Sequence, residues 1–147
     1  MNTSWRRAVS YAVIVTLVSL AVGEAVNFLW DPELPTRDWV FGALLAPDRL
    51  VFPVVVILVL TEARLLLPPT RSRWTTAGVD TGLYALVLLL VSAAEAVAYG
   101  DVAPADSAFV TLLFALFTLQ LPAVFALSAW WHGRLHPAGA GRAAVTA

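Results

Sequence analysis

The chain has 147 residues, 60% of them hydrophobic and 13% charged, with a mean hydropathy of +0.80 and a net charge of −1. A soluble domain carries about 25% charged residues, so this composition indicates an all-α integral membrane protein, one transmembrane domain over residues 1–147. There is no cysteine, which excludes disulfides, thiol catalysis and cysteine-held metals, and the nine basic residues are dispersed arginines that give a nucleic acid no footprint.

Four apolar segments follow in chain order, with helices expected at about 8–30, 48–67, 78–99 and 107–132. Each reaches the ~20 residues that a spanning helix needs at 1.5 Å per residue. The first runs from Ala8 to Trp30 and is broken only by Glu24. Arg6-Arg7 ahead of it imitates a signal peptide, but the apolar run is longer than the ~7–15 residues of a signal h-region. The second holds Pro53, with Glu62 and Arg64 near its end, where both are expected to reach water. The third contains Asp80 and Glu95, and Asp80 or Thr81 is the expected N-cap. The fourth, Ser107 to Trp131, carries no charge, with Asp106 or Ser107 as its expected cap and Gln120 and Pro122 near its middle. Residues 133–147 form an expected flexible cytoplasmic tail.

The arginines set the expected orientation. Arg6, Arg7, Arg64, Arg71, Arg73, Arg134 and Arg142 fall on one side, and the acidic loops with Asp31, Glu33, Asp38, Asp48, Asp101 and Asp106 on the other. Arg37 and Arg49 are exceptions. The reading is a four-helix transmembrane bundle in the cytoplasmic (inner) membrane, multi-pass, with both termini inside. Six tryptophans sit at the two interfaces in agreement with it.

Glu24-Ala25-Val26 matches Glu95-Ala96-Val97, and Leu50-Val51-Phe52-Pro53 matches Leu119-Gln120-Leu121-Pro122. A two-helix unit used twice, a 2+2 internal repeat, accounts for both matches. Glu24 and Glu95 then lie at similar depth towards the outer leaflet. Small residues around them permit close helix approach, so that the two carboxyls face each other if the first and third helices pack centrally. Carboxyls at membrane depth are functional by default, and a close pair shares a proton. Glu24 and Glu95 are therefore the candidate catalytic residues. Asn27, Phe28, Trp30, Tyr99, Phe117 and Gln120 are the candidate substrate-binding residues around them. Gln120 needs a hydrogen-bond partner at its depth, and Pro53 and Pro122 are expected to kink their helices. His132 and His136 have a metal-like spacing without a third ligand. No metal or cofactor is expected.

Phe117-Thr118-Leu119-Gln120-Leu121-Pro122, with an apolar run ending Trp131-His132-Gly133, resembles a helix of the EXPERA-domain family of emopamil-binding and sigma-2-receptor type. The resemblance implies a small helical bundle around a sterol-like ligand, with acidic residues lining the pocket. That family's pattern has an acid four residues before its Gln, where this chain has Leu116. Leu45-Ala46-Pro47-Asp48 is similar to the small bacterial membrane-bound lycopene cyclases, but Val51 and Phe52 stand where their paired Glu would be.

Three functions fit these residues. The first is an intramembrane enzyme that cyclises or isomerises an isoprenoid or sterol-like lipid by carboxyl acid/base chemistry. The second is a small proton-coupled transporter, which at four helices would act as a homo-oligomer. The third is a non-catalytic lipid-binding membrane subunit. The expected partner is a membrane lipid or lipophilic small molecule.

Overall fold

The computed structural model describes residues 5–30, 47–66 and 72–135, with the backbone alone for 47–49 and 132–135. The acidic first loop, His136, the side chain of His132 and most of the C-terminal tail lie outside the described residues. Five helices follow one another: α1 Trp5–Trp30, α2 Pro47–Leu66, α3 Arg73–Ala98, α4 Pro104–Phe117 and α5 Gln120–Leu135. α1 and α3, 26 residues each, are long and apolar enough to cross a membrane, and α4 with α5 makes a third such element if the bent pair is one span.

α1 buries Ala8, Tyr11, Ala12, Val15, Thr16, Ser19 and Gly23. Their spacing of three and four puts them on one helix face, and most are small, which lets neighbouring backbones approach. α3 buries Thr76, Ala77, Asp80, Tyr84, Val87 and Leu88 on an equivalent face. α1 packs against α2 and α5, and α3 packs against α2, α4 and α5. Tyr11, Val15, Val56, Leu60, Tyr84 and Val124 are fully buried between them.

Two helix starts differ from the sequence expectation. α3 begins at Arg73, not near Gly78. Ser72 is its N-cap, with extended backbone and a hydroxyl that accepts from Thr75 N at 3.2 Å. Asp80 is therefore no cap; it lies two turns inside the helix. α4 begins at Pro104, with Ala103 as N-cap and no side-chain cap bond. Proline suits the first helical position because the N–H it lacks would have no partner there. Ser107 instead donates its hydroxyl to the Asp101 carboxylate, which also accepts from Ala103 N at 2.9 Å. These two bonds hold the Asp101 pKa below the usual carboxylate value. Upstream, Gly100 at φ 78 ends α3, with Gly100 N on Val97 O and Asp101 N on Ala96 O. This is the paired closure that left-handed glycine makes at helix ends.

The fourth apolar segment is two helices, bent 59° at Thr118-Leu119. Pro122 explains where the break falls. Within a continuous helix its ring would meet the carbonyl of Thr118, four residues back. With the break there, Pro122 falls in the first turn of α5, where proline is tolerated. Pro53 sits inside α2, which continues through it from Pro47 to Leu66. The turn puts Leu119 at φ 61, a conformation costing a non-glycine residue about 1–2 kcal/mol. Leu119→Gly is expected to stabilise the protein by about 1 kcal/mol, read as a higher unfolding temperature in detergent. An unchanged or lower temperature would show that the Leu119 side chain offsets its backbone strain.

Candidate functional site

A polar cluster lies in the interior, built from one side chain of each of α1, α2, α3 and α5. Asp80 and Ser128 are fully buried, Tyr11 likewise, and Arg64 is 9% exposed. Arg64 Nη2 forms an ion pair with Asp80 Oδ2 and donates to the Tyr11 hydroxyl at 2.7 Å. Tyr11 donates to Asp80 Oδ2, and its oxygen lies 2.7 Å from Ser128 Oγ. The Arg64 guanidinium carbon also stands 4.4 Å from the Tyr11 ring centroid, a cation–π contact. An unpaired charge in such surroundings would be very costly. Here Asp80 Oδ2 and the guanidinium neutralise each other, and Tyr11 and Ser128 extend the net, while Asp80 Oδ1 and Arg64 Nε stay outside it.

Local structure explains how the four meet. Tyr11 is six residues past Trp5, ~9 Å along α1, and Asp80 seven past Arg73, ~10 Å along α3. Arg64 is in the last turn of α2, so its long side chain reaches inward from that helix end. The cluster thus lies near the end of the molecule that holds Arg6, Arg7 and Arg73.

A second polar contact lies deeper. Tyr84 follows Asp80 by one turn on α3, and its hydroxyl accepts from Gln120 Nε2 at 2.6 Å. Phe52 meets the Tyr84 ring edge-on, centroids 5.3 Å apart. Gln120 rests on Gly23: a Cβ there would meet Gln120 Cβ and Oε1 at 3.3 Å. Glycine at position 23 thus makes the close approach between α1 and the start of α5 that puts this amide inside.

Four buried side-chain atoms have no partner among the described residues: Thr16 Oγ1, Ser19 Oγ, Arg64 Nε and Asp80 Oδ1. Thr61, Thr81, Thr111 and Thr118, by contrast, donate to the carbonyl four residues back, at 2.6, 2.8, 3.0 and 2.9 Å.

The residues singled out in the sequence fall elsewhere. Glu24 and Glu95 are exposed, and neither joins the buried cluster. They lie six and three residues from the ends of α1 and α3. Phe28, Trp30, Tyr99 and Phe117 are exposed as well, at 44%, 78%, 80% and 69%. Asn27 is half-buried, four residues past Gly23 and on the same helix face. Gln120 is the first residue of α5, not a mid-helix amide, and its partner is Tyr84. Glu62 is exposed as expected, whereas Arg64, expected in water, is buried. Asp80 and Arg64 were the available signal: opposite charges inside apolar segments find each other. Tyr11 and Ser128 carry no such mark.

No protein-family model, curated protein or solved structure matches the chain.

Proposed function

We propose that the protein is a small proton-coupled transporter of the cytoplasmic membrane, with Asp80 as the proton-exchanging group. The observation that carries this reading is the buried Arg64–Asp80 pair. Its four contributing helices meet at one point, so a change of charge there is felt by all of them at once. When Asp80 takes a proton it loses its attraction for Arg64, and the contact that joins α2 to α3 weakens. When the proton leaves, the pair reforms. A titratable group on mutually packed helices is the kind of two-state element that couples proton binding to helix movement.

The proposal includes four spans, with α4 and α5 as one broken span, both termini cytoplasmic and the 2+2 repeat. The arginines at the cluster end support that orientation. Broken helices lining an interior are a recurring feature of transporter sites. Four spans enclose little volume, so the working unit is a homo-oligomer. The lipid cyclase or isomerase reading places its acids at Glu24 and Glu95, and both lie on the outer surface of the helices, away from the buried polar cluster. The test is proton movement into liposomes holding the purified protein under an imposed pH gradient. The proposal fails if wild type moves no more protons than protein-free liposomes.

A further inference from the structure

The two unpartnered hydroxyls of α1 are the least expected feature of the interior. Thr16 and Ser19 are fully buried, three residues apart and so on one helix face. Thr61, Thr81 and Thr111 within their helices, and Thr118 at the end of α4, donate to the carbonyl four residues back, whereas these two hydroxyls, in a regular helix, do not. Tyr11, Val15, Ser19, Gly23 and Asn27 follow at four-residue spacing, a face that begins at the charged cluster and passes Gln120. Thr16 and Ser19 lie about 7 and 12 Å beyond Tyr11 along the helix. The facing helices offer no partner there. One turn beyond Arg64 and Ser128 come Leu60 and Val124, and a further turn along α2 comes Val56, all fully buried and apolar. Asp80 Oδ1 is likewise unpartnered at the near end. A buried polar atom left without a partner is disfavoured, and water is a remedy common to all three.

We propose that Thr16, Ser19 and Asp80 Oδ1 line a site for a short file of water, which carries protons between Asp80 and the level of Gln120. Each hydroxyl both accepts and donates, so it relays a hydrogen-bond chain without being ionised. The step balances as a simple exchange. The O–H bond on the Asp80 carboxyl breaks as one forms on the adjacent water, and the excess proton passes outward along the file. A proton entering from the other end reverses it. The groups facing Asp80 are Tyr11 from α1, Arg64 from α2 and Ser128 from α5; α4, packed on α3, has Asp106 as its one acidic residue, and that is exposed. Of these, Tyr11 shares the α1 face of Ser19 and stands at its near end, beside Asp80. The proton route rests on the transporter reading; the water site does not.

The chain has no cysteine, which makes the test direct. Thr16→Cys, Ser19→Cys and, as a buried control on α4 away from α1, Ala115→Cys are made singly in the full chain and reconstituted. Each is exposed to a small charged methanethiosulfonate, which reacts with thiolate and so requires water at the site. Positions 16 and 19 are expected to react at least tenfold faster than position 115. Equal protection of all three overturns the water site, whatever the protein transports. Thr16→Val and Ser19→Ala provide a second reading free of new thiols. In a hydrated file they lower the unfolding temperature; in a dry core, removing an orphaned hydroxyl raises it, and that result also overturns the proposal. If 16 and 19 react and the Val/Ala double variant slows wild-type proton flux at least tenfold, the route stands. Unchanged flux in that variant overturns the route. Reactive cysteines in a protein without any proton flux support the water site and defeat the transporter reading alone.

Discussion

Arg64→Leu is expected to destabilise the folded protein by about 3–5 kcal/mol, because it leaves Asp80 buried without its counter-charge. An exposed ion pair would lose no more than about 1 kcal/mol on the same change, so the size of the effect reports on burial. Asp80→Leu leaves Arg64 as the unpaired member. Arginine does not give up its proton, but from the last turn of α2 its side chain can turn towards the interface and recover water. The loss is therefore expected to be smaller for Asp80→Leu than for Arg64→Leu. The double variant Arg64→Leu/Asp80→Leu removes both charges and is expected to recover most of the stability, since a buried pair is often replaceable by apolar residues. Thermal unfolding in detergent of the two single variants and the double variant forms a complete cycle. Additive losses would mean that the two residues do not depend on each other.

Asp80→Asn is expected to abolish proton-driven movement while leaving the fold in place. Asparagine keeps the shape of the side chain and an oxygen that accepts from Tyr11 and Arg64, but it has no exchangeable acid proton. The stability cycle and the flux then separate two roles of one residue. If Asp80 served only to hold four helices together, the charge-free double leucine variant would be both stable and as active as wild type. In a proton-coupled mechanism that variant is stable and inactive. Glu24→Gln and Glu95→Gln, at exposed positions near helix ends, are the natural comparison, because a requirement for them would move the proton site to the other end of the molecule.

Much of the architecture was legible in the sequence. The apolar runs mark both α1 and α3, although each helix begins ahead of its run, at Trp5 and at Arg73, and Gln120 reads as an amide that needs a partner. The buried role of Asp80 is hidden because an acid at the start of an apolar run looks like a cap. Ser72, a better cap, lies upstream among polar residues that the hydropathy boundary excluded. Arg64 was absorbed by the orientation rule, which explains an arginine near a helix end without asking what its side chain touches. The break at Thr118-Leu119 follows from Pro122, yet Pro53 in a similar Leu-x-x-Pro setting is carried inside α2. The local sequence does not separate a proline inside a helix from one that begins the next. Glu24 and Glu95 drew attention because they interrupt apolar runs, but hydropathy gives depth along a helix and says nothing of the direction in which a side chain points. Tyr11 and Ser128 are ordinary residues whose role appears only when four helices bring them to one place.

The most direct test of the account is infrared difference spectroscopy of the reconstituted protein as pH is lowered and raised. The account predicts a reversible protonated-carboxyl band in wild type that is missing in Asp80→Asn, together with a change in the guanidinium bands that is missing in Arg64→Leu. Identical difference spectra for wild type and Asp80→Asn, across the pH range in which both stay folded, would contradict it.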